Sequence, residues 1–171
     1  MEMILERRSI RKYTSDPVPR HIIKNLLHAA MAAPSAGNEQ PWHFIVLDER
    51  ELLDEIAKLH PDAKMLTDAP AAVLVCGDLG LEEYDGYWVQ DCSAATENIL
   101  IAAEMEGLGS VWVGVHPNQE QENGIRDLFD SVFSFVEEHD IIEESLFSCS
   151  RQLCSVYDVW SGYSTLAVEN M

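Results

Sequence analysis

The chain has 171 residues, of which 47% are hydrophobic, and this composition predicts one globular domain with a sizeable core rather than a disordered chain. The formal net charge is -19, which would repel nucleic-acid phosphates and argues against that class of partner. No apolar run reaches the roughly 18–20 residues of a membrane-spanning helix, and the start MEMILERR lacks the apolar core of a signal peptide. We therefore expect a cytoplasmic protein with no membrane partner.

The first half of the chain alternates helical and strand-like patterns. HIIKNLLHAAMAA has apolar residues at helical spacing and is stopped by Pro34, after which PSAGNEQP reads as a loop. HFIVLD and the apolar run AAVLVC are typical of strands. The predicted elements are helices over 2–8, 21–33 and 50–60 and strands over 43–48 and 71–76.

The second half contains the clearest predicted element, a helix over 87–107 whose small and apolar residues indicate deep burial. Gly107 and Gly109 predict a tight turn at its end, followed by the strand SVWVGV over 110–115 and a short helix over 119–129. Because these elements follow one another without a strict βαβ rhythm, we expect an α+β layered fold. The apolar length of helix 87–107 predicts a homodimer, since one layer could hardly cover it on every side.

Cysteine and histidine do not form a recognisable catalytic or metal-binding pattern. Cys76 and Cys92 lie in apolar or helical patterns and are predicted to be buried thiols, whereas Cys149 and Cys154 have no partner pair at zinc spacing. The six histidines are scattered, and no Ser-His-Asp or Cys-His arrangement is present. We therefore predict neither a metal site nor a catalytic side chain.

The stretch RRSIRKY gathers four cations in an acidic chain. In an extended segment the alternating residues Arg7, Ser9 and Arg11 would project from one face, and arginine forks suit a phosphate because each can bond two oxygens. Arg8 and Lys12 would point away. The alternative is a solvated basic patch that balances nearby carboxylates.

Two further stretches favour a bound flavin over these simpler alternatives. PSAGNEQPWHF places Ser35, Asn38 and Gln40 in a glycine-containing loop, where hydroxyl and amide groups could bond the polar edge of a flavin. The alternative is a polar surface loop with Trp42 packed in the core. In GLGSVWVG, Gly114 would let the backbone approach a flat ring closely.

Together, RRSIRKY, APSAGNEQPWHF and GLGSVWVG resemble, in order and spacing, the flavin-contacting segments of the FMN-dependent nitroreductase family, and QDCSAATENILIAAEMEGLGS resembles its central dimer helix. The resemblance covers residues 1 to about 129. It implies an α+β fold of three layers, with a central, mostly antiparallel sheet flanked by helices, and an intertwined homodimer with FMN at its interface. The residues it assigns to FMN are Arg7, Ser9 and Arg11 at the phosphate and ring edge, Pro34, Ser35, Asn38 and Gln40 at the ribityl chain and ring, and Gly114 near flavin N5.

The implied function is hydride transfer from NADH or NADPH, through FMN, to a nitroaromatic or quinone acceptor. The flavin carries the chemistry in such an enzyme, so no catalytic side chain is needed. Two alternatives remain open: a flavin-dependent reductive dehalogenase-like enzyme, and a flavin-binding protein with little turnover.

The resemblance ends in the C-terminal segment, residues 130–171, which we nevertheless assign to the same single domain. This segment has no proline, and Arg151 is its only lysine or arginine. The proline-containing motif and following lysine or arginine with which family members complete the phosphate site are therefore missing, and Arg151 is a weak substitute. The segment is either a divergent arm that wraps a partner subunit or the product of a shifted reading frame. Its spaced apolar residues could still pack as a helix.

Overall fold

A computed structural model of the chain describes residues 2–138 and 163–170. Five helices and four strands are present in this part of the chain. The helices are α1 (Glu2–Glu6), α2 (Arg20–Met31), α3 (Arg50–Leu59), α4 (Trp88–Met105) and α5 (Gln119–Glu138), and the strands are β1 (Trp42–Leu47), β2 (Ala71–Gly77), β3 (Leu108–Gly114) and β4 (Tyr163–Asn170). Short 3-10 turns lie at Ala36–Asn38, Lys64–Thr67 and Leu79–Leu81.

The four strands form one antiparallel sheet in the order β1-β2-β4-β3. Every residue of β2 is buried. Side chains alternate between the two faces of a strand, and β2 follows this rule, with Val73 and Val75 in one core and Leu74 and Cys76 in the other.

Helices cover both faces of the sheet. On one face, α2 and α4 pack through Leu26, Ala30, Ala95 and Ile99, and on the other face α3 and α5 pack through residues that include Ile56. The structure therefore has helix, sheet and helix layers, and the expected α+β fold with a mostly antiparallel sheet is confirmed.

The C-terminal segment contributes more to this fold than the sequence indicated. β4 lies in the middle of the sheet, with Leu166 opposite both Val73 of β2 and Trp112 of β3. No strand was predicted there, and YSTLAVEN shows no regular alternation of polar and apolar residues that would have indicated one. Helix α5 ends at Glu138 rather than near residue 129, so residues 130–138 are helical. Arg151, Cys149 and Cys154 lie outside the described residues.

None of the helices in the described ranges is long and apolar enough to cross a lipid bilayer.

Replacing Leu166 with proline tests the central position of β4. In a strand that is paired on both sides, every backbone N–H faces a neighbouring strand. Proline has no N–H, so the carbonyl that accepts this bond on the neighbouring strand would be left buried and unbonded. We expect Leu166→Pro to lower the free energy of unfolding in urea by about 2 kcal/mol or more. Leu166→Val keeps the N–H and is the control. Equal stability of the proline and valine variants would contradict a central β4.

Candidate functional site

The basic N-terminal segment runs alongside β3. The N–H of Ile10 donates to the carbonyl oxygen of Ser110 at 2.9 Å, and Ser9 and Ser110 form an isolated parallel bridge. This close approach depends on Gly109, because a Cβ there would lie 3.0 Å from Cγ2 of Ile10. The segment therefore runs extended and parallel to β3. Arg11, which follows Ile10, lines the same cavity as Trp112 of β3.

A cavity of about 620 Å³ lies at the end of β3. Its walls come from the Arg11 segment, from the chain that follows α3, and from the last residues of β3. The lining side chains combine two cations, two carboxylates and aromatic, apolar and imidazole groups: Arg11, Lys64, Asp62, Asp68, Trp112, Met65, Val113 and His60, beside the backbone of Gly114.

Gly114 opens onto this cavity and onto a second, smaller one. The smaller cavity has a volume of about 200 Å³ and is lined by Trp112 and Gly114 together with Trp88, Cys92 and other residues. A Cβ placed on Gly114 would meet no atom within 4 Å, so the backbone here borders open space. A flat ring could therefore lie against this backbone, which is the use that the sequence predicted for Gly114.

His60 connects two walls of the larger cavity. Its side chain is buried, and Nε2 lies 2.9 Å from the carbonyl oxygen of Gly114. The N–H of Asp62 donates to Nδ1 at 3.1 Å. Because Nδ1 accepts a hydrogen bond, the ring proton belongs on Nε2, which donates to Gly114. His60 lies in none of the three motifs, so the sequence does not indicate its role.

Lys64 is the second cation of the larger cavity and was also missed. It begins the 3-10 turn Lys64–Thr67, which Arg50 stabilises by donating to the carbonyl oxygens of Leu66 and Ala69. A single lysine in a short turn gives no periodic signal. Only the folded chain shows that it shares a cavity with Arg11.

The other basic residues of the N-terminal segment have different surroundings. Arg7 Nε lies 3.7 Å from Oε1 of Glu97 on α4. Arg8 folds back on α1, where its Nη1 donates to the carbonyl oxygen of Leu5 at 2.7 Å. Of the three alternating residues assigned to FMN, Arg11 lines the larger cavity, whereas Arg7 and Ser9 lie along the same segment outside its lining.

The loop of residues 34–40 is tightly organised. Ser35 Oγ accepts the N–H of Gln40 at 2.9 Å, and the buried carboxylate of Asp91 accepts the N–H of Ala36 at 3.2 Å. Asn38 has φ 61° and Gln40 has φ 52°. Left-handed backbone is costly for residues other than glycine and tends to occur at functional sites.

The sequence assigned Pro34, Ser35, Asn38 and Gln40 to the same ligand as Arg11 and Gly114. Within one chain these four residues lie outside the lining of both cavities. One copy of the described structure thus brings together Arg11 and Gly114 but does not bring the loop to them.

Cys92, at the smaller cavity, is not suited to act as a nucleophile. Burial raises the pKa of its thiol to about 12, and the carboxylates of Asp91 and Glu82 contribute in the same direction. Since a thiol with a raised pKa stays protonated at neutral pH, Cys92 is unreactive there. Cys76 is likewise buried, and both cysteines agree with the sequence prediction.

His116 lines the smaller cavity. His116 Nδ1 lies 2.7 Å from Oε1 of the buried Glu122, a pair that packs against Trp88. Within residues 2–138 and 163–170, no three His, Cys, Asp or Glu side chains are grouped to bind a metal ion. The cavities provide charge, aromatic surface and open backbone, which suit the binding of a reactive cofactor.

Comparison with known proteins identifies the family. A model of the nitroreductase family matches residues 4–76 and 59–133. The chain belongs to the nitroreductase family. It is 53% identical over 129 residues to a Methanothermobacter thermautotrophicus protein provisionally named NADH dehydrogenase/NAD(P)H nitroreductase, covering 75% of this chain and 68% of that protein. The resemblance inferred from the three motifs is confirmed.

Two other similar proteins extend the comparison. The fold matches a crystal structure from Clostridium acetobutylicum, provisionally named NADH oxidase, with a TM-score of 0.80 and 33% identity over 98% of this chain and 86% of that chain. The FMN reductase [NAD(P)H] of Bacillus subtilis is 26% identical over 140 residues, covering 71% of this chain and 56% of that protein.

Proposed function

We propose that this nitroreductase-family chain binds FMN and transfers hydride from NADH or NADPH to nitroaromatic or quinone acceptors. The observation that carries the proposal is the open backbone of Gly114, which borders both cavities and lies in the same cavity as Arg11 and Lys64. The names of the Methanothermobacter and Bacillus relatives support the reaction and the cofactor.

The residues present fit FMN by their chemistry. FMN has a flat ring with a polar edge and carries an anionic phosphate. Its site must therefore provide hydrogen-bond donors, cations and a backbone surface that no side chain covers. Gly114 provides the surface, and Arg11 and Lys64 provide donors that carry positive charge. Lys64 is a second cation in this cavity, whereas the sequence offered only Arg151 as a substitute for the missing C-terminal cation.

Arg7 would add to phosphate binding by exchanging its partner. Its contact with Glu97 is 3.7 Å long and partly exposed, with 25% of the arginine side chain and 48% of the glutamate side chain accessible. Exposed pairs of this kind contribute about 0–1 kcal/mol, so a phosphate could replace the carboxylate at small cost. Ser9, on the same extended segment, would contribute its hydroxyl.

When bound, FMN would supply the hydride chemistry, and the protein would supply binding and orientation. Arg11 and Lys64 would favour the extra negative charge of a reduced flavin by Coulomb attraction. Trp112 and Trp88 would bound the space beside Gly114 with aromatic surface and exclude water there. No described side chain is needed as a nucleophile.

We also propose a homodimer in which the loop of residues 34–40 completes the partner's cavity. Two observations support it: the loop is separate from the cavity of its own chain, and apolar side chains are exposed near it and along α4. Val89 is 37% exposed, Tyr84 53% and Met105 69%. Pro34, Ser35, Asn38 and Gln40 would then contact FMN bound to the partner.

Sedimentation of the FMN-bound protein at micromolar concentration tests this assembly. We expect about twice the mass of one 19.2 kDa chain, because a stable dimer buries the exposed apolar surface. A folded monomer that retains FMN would contradict the dimer proposal, since the loop could then not contribute.

The proposed function predicts a yellow protein that releases FMN on denaturation and oxidises NADH or NADPH when a quinone is added. The test is the visible spectrum of the purified protein, followed by anaerobic reduction with each nicotinamide and reoxidation by a panel of quinones, nitroaromatics and halogenated phenols. A colourless protein that takes up no added FMN would refute the proposal. Bound FMN without turnover would favour the flavin-binding alternative, and preference for halogenated phenols would favour the dehalogenase-like one.

Arg11→Ala tests the cation of the cavity. We expect FMN affinity to fall about ten-fold, roughly 1.5 kcal/mol, the scale of one charge-assisted hydrogen bond. Lys12→Ala removes the adjacent exposed charge, which lies outside the lining of the cavity, and is the matched control. Its effect should stay within about two-fold because salt screens exposed charges that make no direct contact. Equal losses in both variants, measured by fluorescence titration, would mean that the segment acts only as diffuse charge.

A further inference from the structure

We infer that His60 is a positioning residue for the cofactor site: its imidazole holds two walls of the larger cavity in the arrangement that binds flavin. This inference rests on the proposed function and deepens it. One wall is the end of β3 at Gly114, and the other is the chain from Asp62 to Asp68, which carries Lys64.

The imidazole forms a bridge between backbone groups of the two walls. Nε2 donates to the carbonyl oxygen of Gly114 at 2.9 Å, and Nδ1 accepts the N–H of Asp62 at 3.1 Å. His60 is only 2% exposed. Because both ring nitrogens are engaged by backbone, His60 acts on a ligand through the groups that it orients, and proton transfer from its nitrogens has no place in the inference.

Gly114 is a residue whose orientation needs such support. It has no Cβ, it is the last residue of β3, and open space lies where its side chain would be. Glycine has a wider choice of backbone angles than any other residue. A hydrogen bond from a buried side chain to its carbonyl restricts the peptide plane that faces the cavity, and so fixes the surface against which a flat ring would lie.

The second bond restricts the wall that carries Lys64. The N–H of Asp62 is bonded to the ring two residues before Lys64, and Arg50 bonds the carbonyl oxygens of Leu66 and Ala69 further along. The Arg50 bonds stabilise this wall internally, whereas the His60 bonds connect it to β3. His60 therefore sets the separation between the cation and the open backbone.

The test compares His60→Leu with His60→Gln in the full chain. Leucine removes both hydrogen bonds, whereas the glutamine amide keeps one acceptor and one N–H donor and is the conservative variant. We expect His60→Leu to weaken FMN binding by about ten-fold or more, the effect of leaving buried backbone groups unbonded, and His60→Gln to restore affinity to within about three-fold of the original chain. FMN affinity is measured by fluorescence titration.

His43→Leu is the matched control, because His43 bonds Asp78 at 3.0 Å outside the lining of both cavities. Its FMN affinity should stay close to that of the original chain. Thermal unfolding of each FMN-free variant separates a change in the site from a general loss of stability. A leucine variant that binds FMN normally would overturn the inference, as would leucine and glutamine variants that are equally weak while unfolding at the original temperature.

A second measurement uses the unaltered protein and does not depend on a variant that folds. Nitrogen-15 NMR of the histidine rings should show His60 as the tautomer with hydrogen on Nε2, and its signals should shift when FMN is added. The other tautomer, or signals that FMN leaves unmoved, would overturn the inference. If the unaltered chain binds no FMN, the proposed function itself fails, and this result is distinct from normal binding by His60→Leu.

Discussion

The candidate site depends on the hydrogen bond between the N–H of Ile10 and the carbonyl oxygen of Ser110. This bond places the N-terminal segment along β3, and the missing side chain of Gly109 makes the close approach sterically feasible. Without it, nothing would hold the exposed side chain of Arg11 next to the end of β3. With it, Arg11 lies in the same cavity as Trp112 and Gly114, although about a hundred residues separate them in sequence.

Positive charge at this site matters because the chain as a whole is strongly acidic. A net charge of -19 creates a field that disfavours the approach of an anionic cofactor or reductant. Salt screens charges beyond about 8 Å at physiological ionic strength, so cations within contact distance outweigh the distant carboxylates. Arg11 and Lys64 are such local cations, but Asp62 and Asp68 share their cavity, so the local balance of charge is nearly even.

Local sequence patterns predicted much of the fold, because helical and strand periodicities are local properties of the chain. Helix α4 and strands β1, β2 and β3 were each found within two residues of their observed ends. β4 was not found because both strands that pair with it are distant in sequence and its residues show no clear period-2 pattern. The site residues follow the same rule. Arg11 and Gly114 lie in recognisable motifs and were predicted, whereas His60 and Lys64 reach the cavity only through contacts between distant parts of the chain and were not.

The central position of β4 has a consequence for how the protein is made. β4, one of the two inner strands of the sheet, comes later in the chain than every other described element, so β2 and β3 have no β4 to pair with while the first 138 residues leave the ribosome. Contacts between strands so far apart in sequence also close slowly. The nascent chain therefore carries unpaired edges on β2 and β3 until β4 has been synthesised, and in this interval those edges expose it to aggregation or to capture by chaperones.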